Sequence, residues 1–168
     1  MDQIRKKDGY PVQLTIEVES GEDEVKLTRE VFQAKGKVYQ KGELFYLTYT
    51  EKSGEGTVHN ILKLAQNRLT VIRHGAVKMN HLFQLGHSTQ SHFSTPLGPL
   101  AMETYTTALT FSYSPSFQTM LKEGRELKEG RASDSAPYAT LRWAYRLTLA
   151  GQPAGYIRFQ ITLLKPGG

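Results

Sequence analysis

Apolar and polar residues alternate along most of this 168-residue chain, and no segment shows a helical repeat sustained over three turns. In residues 12–19, for example, an aliphatic residue stands at every second position from Val12 to Val18. A period of two places successive side chains on opposite faces of a β-strand, one face toward a core and the other toward water. The chain is therefore predicted to be all-β.

Turn residues divide the alternating stretches into about ten strands. Between residues 68 and 98, Gly75, Gly86 and Gly98 each separate two such stretches, which predicts a β-meander. Glycine within a strand often marks a bend or bulge, so a bend or bulge is predicted at residues 34–36. The strands are predicted at residues 12–19, 25–39, 43–52, 57–65, 69–73, 77–85, 90–95, 99–113, 141–149 and 157–163.

These strands predict a single antiparallel up-and-down β-barrel of about 8–10 strands, because closure removes exposed sheet edges. A two-sheet sandwich is the alternative. The length fits one domain over residues 1–168. Residues 114–137 break the alternation and repeat a short charged unit, Leu-Lys-Glu-Gly-Arg. We expect an exposed, mobile insertion there, with one helical turn near residues 117–122.

The composition excludes several classes of site. The chain has no cysteine, which rules out disulfides, thiolate zinc sites and cysteine nucleophiles. The five histidines form no recognised metal-binding spacing, so no metal and no cofactor are expected. No apolar run approaches the ~20 residues of a membrane span. The charged N-terminus has no apolar signal core, so a cytoplasmic protein is predicted.

The charge is distributed unevenly along the chain. Residues 1–55 carry 9 basic and 11 acidic groups, whereas residues 56–168 carry 12 basic and 5 acidic groups. A mildly basic, solvated surface is the favoured interpretation, and an anionic partner is the alternative.

Three motifs in the middle of the chain resemble a known family. They are Leu62-Lys63-Leu64, Val71-Ile72-Arg73-His74-Gly75 followed by Met79 and Phe83, and Thr95-Pro96-Leu97-Gly98-Pro99-Leu100. In order and spacing they resemble the YwiB-like family of small bacterial proteins, over about residues 13–164. The resemblance implies a calycin-type, lipocalin-like β-barrel and a bacterial cytoplasmic setting, and it implies no settled activity.

Arg73 is the first candidate for a binding residue. It shares a strand face with Leu69 and Val71, where an arginine is costly unless it is paired. At a barrel mouth its guanidinium would receive a carboxylate or phosphate from a ligand. Alternatively, Arg73 forms a structural ion pair with an internal acid such as Glu51 or Glu103, and this is the favoured interpretation.

Other residues complete the candidate site. His81 lies on the same strand face as Met79 and Phe83, so it is predicted to point inward. His81 and Tyr49 would supply hydrogen-bonding walls. The candidate ligand-binding set is Arg73, His81, Tyr49, Lys63, Met79 and Phe83. No catalytic residue is predicted.

Two functions are compatible with this pattern. The first is a non-enzymatic binding module for a small, partly apolar or anionic ligand. The second is an RNA- or protein-binding accessory barrel, suggested by the basic balance after residue 55. Catalysis is not expected, because Ser91 and His92 lack a nucleophile elbow and no phosphate loop or dinucleotide fingerprint is present. We expect a monomer or homodimer, with no membrane partner.

Overall fold

The computed structural model describes residues 9–54, 56–124 and 136–167, which form ten β-strands and one helix. The strands are β1 (Tyr10–Gly21), β2 (Thr28–Lys41), β3 (Leu44–Ser53), β4 (Gly56–Ala65), β5 (Arg68–Gly75), β6 (Lys78–Gln84), β7 (Ser88–Thr95), β8 (Gly98–Tyr113), β9 (Ala139–Leu149) and β10 (Gln152–Leu164). The helix α1 (Pro115–Glu123) lies between β8 and β9.

Each strand pairs with its neighbours in sequence, and β1 pairs with β10 to close the barrel. At this seam Leu14 pairs with Leu163 and Ile16 pairs with Ile161, and all four side chains are fully buried. The inward residues of each strand form one continuous apolar core. The predicted antiparallel up-and-down barrel is therefore confirmed, and the sandwich alternative is wrong.

Helix α1 covers one end of the barrel. It begins where the Ser114 hydroxyl accepts a hydrogen bond from the Phe117 amide, at 3.1 Å, and it ends at Gly124 in the left-handed region. Phe117 and Leu121 are buried, and the Phe117 ring centroid lies 6.2 Å from that of Phe45. Within the described ranges, no helix has the length and apolarity needed to cross a bilayer.

The sequence predicted an exposed insertion at residues 114–137 with one helical turn. The structure differs in its first part, because α1 has 9 residues and three of them are buried. Gly124 ends the helix, in a conformation that glycine adopts readily. Residues 125–135 of the predicted insertion lie outside the described residues.

The bulge predicted at residues 34–36 is wrong, since β2 pairs with β1 without a register shift from Val38 to Thr28. Gly36 has another role. A Cβ atom there would lie 2.7 Å from the Thr48 carbonyl oxygen and 3.0 Å from Leu14 Cδ1. The glycine therefore allows β2 to approach β3 closely at its final pair with that strand, Gly36 with Tyr49. Beyond this pair the two strands separate.

Candidate functional site

Among the described residues, two cavities lie near opposite ends of the barrel. The cavity beside α1 has a volume of about 460 Å³ and is lined by Phe45, Leu64 and Leu121 among others. The second has a volume of about 270 Å³ and contains Arg73. Through strand pairing, Leu69 lies level with Leu64 near the α1 end, and Arg73 lies further along β5 toward the other end. We call the second site the Arg73 cavity.

The Arg73 side chain is held by two partners inside the barrel. Its Nη2 lies 3.1 Å from Glu51 Oε1, and its Nε donates to Asn60 Oδ1 at 3.0 Å. Asn60 Nδ2 donates to the same Glu51 oxygen at 2.9 Å, which closes a triangle. The Arg73 and Glu51 side chains are 29% and 28% exposed. Of the two acids proposed from the sequence, Glu51 is the partner, so the structural ion pair is confirmed.

Aromatic side chains form most of the cavity wall. Six of them line it: Phe32, Tyr49, Phe83, Trp143, Tyr145 and Phe159. Trp143 stacks on Phe159 with ring centroids 4.5 Å apart, and Phe83 packs against Tyr145 at 4.6 Å. The Trp143 side chain is 4% exposed, and its Nε1 is buried without a hydrogen-bond partner among the described residues. Two of the six rings are phenols, and one buried donor remains unsatisfied.

The two phenols stay neutral at physiological pH. Burial raises the pKa of Tyr49 well above its usual value, and the Glu51 carboxylate raises it further, against the lowering effect of Arg73. Burial also raises the pKa of Tyr145, again opposed by Arg73. Both hydroxyls are therefore hydrogen-bonding groups rather than charges in this cavity.

His81 points inward as predicted and is fully buried. Its Nδ1 lies 2.6 Å from Ser91 Oγ and its Nε2 lies 2.7 Å from Thr104 Oγ1. Burial lowers the pKa of His81 to about 4, so the ring is neutral at pH 7. The cavity lining does not include His81. It contacts the cavity indirectly, because its ring packs edge-on against Phe83 with centroids 4.7 Å apart.

This network bridges a weak part of the barrel wall. Only Lys78–Ser94 and Met79–Phe93 pair between β6 and β7. Side-chain hydrogen bonds from His81 and Thr89 then join the two strands where backbone pairs are missing. The imidazole is therefore a structural bridge between β6 and β7.

Lys63 lies outside the cavity, contrary to the candidate set. On β4 it alternates with the inward Leu62 and Leu64, so its side chain projects from the outer surface. There its ammonium lies 6.0 Å from the centroid of the Tyr46 ring. Of the remaining candidates, Arg73, Tyr49, Met79 and Phe83 meet in the Arg73 cavity.

Several lining residues were missed from the sequence. Asn60 and Glu30 are polar residues in otherwise inward rows, opposite Tyr49 and Val18 respectively. The position of each residue within the alternation of its strand was the available signal. Trp143 and Tyr145 stand two positions apart on β9, on the same strand face, and only the barrel register brings them to Arg73.

The charge surplus after residue 55 is partly compensated in the fold. Arg146 pairs with Glu24 at 3.0 Å, and Arg158 pairs with Glu19 at 2.8 Å. These acids come from the acidic part of the chain, and the pairs lie on the outer surface. The outer surface is thus less basic than the distribution of charged residues along the sequence suggests.

The chain is similar to known proteins both in its sequence and in its fold. Residues 12–130 match the family described as Domain of unknown function (DUF1934). The uncharacterized beta-barrel protein YwiB of Bacillus subtilis (strain 168) is 36% identical over 78 residues, which span 46% of this chain and 55% of that protein. The crystal structure of YwiB from Bacillus subtilis covers 94% of each chain with a TM-score of 0.63 and 24% identity. At that identity the structural likeness concerns the fold.

Proposed function

The chain belongs to the DUF1934 family of unknown function, and we propose that it is a non-catalytic binding module whose Arg73 cavity takes a small, partly apolar ligand. The observation that carries this proposal is the wall of six aromatic side chains beside the few polar groups of the Arg73–Glu51–Asn60 triangle. Aromatic walls with a few polar groups are typical of ligand pockets.

The size of the cavity restricts the ligand. Its volume of about 270 Å³ lies near the lower end of ligand pockets, which begin at roughly 300 Å³. Met79 and Met102 are in its wall, and methionine side chains adapt readily to the shape of a bound molecule. We therefore expect a ligand with one aromatic or aliphatic ring rather than a lipid or a dinucleotide.

The same geometry favours the partly apolar ligand over the anionic one. Glu51 already occupies the Nη2 side of the Arg73 guanidinium, and Asn60 occupies its Nε. An anion that displaced Glu51 would leave a partly buried carboxylate without its counter-ion, which is unfavourable.

A non-catalytic role is supported by the placement of the one buried histidine. Its low pKa, about 4, makes His81 a weak general base, and its neighbour Ser91 does not line the cavity. The nucleic-acid alternative stays a prediction from the sequence, and the surface ion pairs of Arg146 and Arg158 do not favour it.

The test uses Trp143, the only tryptophan of the chain, as a reporter inside the cavity. Native mass spectrometry of the purified protein is expected to show a bound small molecule, and 2-phenylethanol is expected to change Trp143 fluorescence and raise Tm. The variant Val18→Phe places a ring at the cavity wall and is expected to abolish both effects.

The matched control is Val31→Phe, which introduces the same ring on β2 at a position that is 50% exposed. This variant is expected to bind the probe like the unmodified protein. If the purified protein carries no bound molecule and 2-phenylethanol changes neither its Trp143 fluorescence nor its Tm, the binding function is contradicted.

A further inference from the structure

We infer that the ligand of the Arg73 cavity carries a protonated amine beside its apolar ring. This inference rests on the proposed binding function and adds the ligand's charge to it. Three observations carry it: the charges of the cavity, its aromatic wall and the gap between β2 and β3 that borders it.

The charged residues of the cavity are Arg73, Glu51 and Glu30. Arg73 and Glu51 neutralise each other in an ion pair of 3.1 Å. The Glu30 side chain forms no ion pair or hydrogen bond with any other described residue, and its position opposite Val18 places it on the inward row of β2, in the exposed part of that strand. The described cavity is therefore left with one unpaired negative charge, on an exposed carboxylate, which attracts a cation and repels an anion by an amount that salt reduces.

The wall suits a cation as well. Tryptophan is the best aromatic partner for an ammonium group, followed by tyrosine and phenylalanine, because the ring face carries partial negative charge. Trp143, Tyr49 and Phe32 line this cavity together with the carboxylates. Aromatic walls of this type bind amines and quaternary ammonium groups in other proteins.

The cavity borders a gap between β2 and β3. Their last pair is Gly36 with Tyr49, so residues 28–35 of β2 and residues 50–53 of β3 face each other without backbone pairing. Glu30 lies on one side of this gap and Glu51 on the other. A ligand entering here would pass two carboxylates before its ring reached Trp143.

The experiment compares three probes that share one phenyl ring and differ in charge at pH 7: 2-phenylethylamine, 2-phenylethanol and phenylacetate. Binding is followed by Trp143 fluorescence and by calorimetry. We expect the amine to bind at least about threefold more tightly than the alcohol, and phenylacetate to bind most weakly. Added salt is expected to weaken only the amine's advantage over the alcohol.

Variants locate the charge that causes this preference. Glu30→Gln is expected to reduce the affinity ratio of amine to alcohol toward one. The control Glu43→Gln removes the same charge beside the other cavity and is expected to leave the ratio unchanged. An equal loss of preference in both variants would attribute the effect to net charge and would overturn the assignment to Glu30.

The possible failures are distinguishable. If the alcohol or phenylacetate binds as tightly as the amine, the inferred amine is wrong while the binding function stands. If none of the three probes binds and the purified protein is empty, the binding function fails and the inferred amine fails with it.

Discussion

The triangle of Arg73, Glu51 and Asn60 shows how one polar residue on an apolar row is accommodated. Asn60 is 2% exposed, and its amide links the cation and the anion through two hydrogen bonds. The sequence predicted that Arg73 would point inward, because it shares a face with Leu69 and Val71. Its choice of Glu51 over Glu103 depends on the pairing of β3, β4 and β5, which local patterns do not determine.

The first prediction concerns the energy of this ion pair. In a double-mutant cycle with Arg73→Leu and Glu51→Leu, we expect a coupling energy of about 1–3 kcal/mol, because each single variant leaves a partly buried charge alone. Urea unfolding of the four proteins measures it. The exposed pair Arg158–Glu19 serves as control, with an expected coupling below about 1 kcal/mol. If the Arg73–Glu51 and Arg158–Glu19 pairs have equal coupling energies, the Arg73 pair is no stronger than an exposed surface pair and the prediction is wrong.

The second prediction concerns the pH dependence of stability. The pKa of His81 is about 4 in the folded state, against 6.5 for an unperturbed histidine. Between these values the unfolded chain binds a proton that the folded protein does not, so stability falls as the pH decreases from 6.5 to 4. The contribution lost is at most about 3 kcal/mol.

The variant His81→Gln keeps a hydrogen-bonding side chain that does not titrate. It is expected to lose less stability than the unmodified protein between pH 7 and pH 4.5, as measured by urea unfolding at each pH. His92→Gln, which alters an exposed histidine on β7, is expected to retain the unmodified pH dependence. A slope unchanged by His81→Gln would contradict the lowered pKa.

Among the elements, strands were easier to predict than the places where strands part. The alternation of apolar and polar residues, together with the turn residues between the alternating stretches, located all ten strands. The separation of β2 from β3 at Gly36 was read as a bulge, because both features place a glycine within a strand. Helix α1 was underestimated, because its stability comes from burying Phe117 and Leu121 on the barrel end rather than from local periodicity.

The third prediction tests the close approach at Gly36. Gly36→Ala is expected to destabilise the barrel by about 1–3 kcal/mol, because the new methyl would lie 2.7 Å from the Thr48 carbonyl oxygen. Thermal unfolding measures the effect. Gly54→Ala is the control, since a Cβ atom there meets nothing within 4 Å. A variant at position 36 as stable as the one at position 54 would show that the strands can move apart without loss.

For the molecule as a whole, alternation and the need to remove sheet edges were sufficient to predict a closed barrel. They were not sufficient for the cavity, which gathers side chains from strands far apart in sequence, such as Glu30, Arg73 and Trp143. Lys63 illustrates the limit of motif resemblance. Its alternation with Leu62 and Leu64 already placed it outside the barrel, although the motif drew attention to it.

The pairing of β1 with β10 has a consequence for biosynthesis. Ile16 meets Ile161 across this seam, so the contact joins segments that leave the ribosome far apart in time. The edge of β1 that pairs with β10 therefore stays unpaired throughout most of translation. Non-local pairing of this kind slows folding. A nascent polypeptide released before β10 is made would retain two unsatisfied borders, and self-association through them is its expected fate.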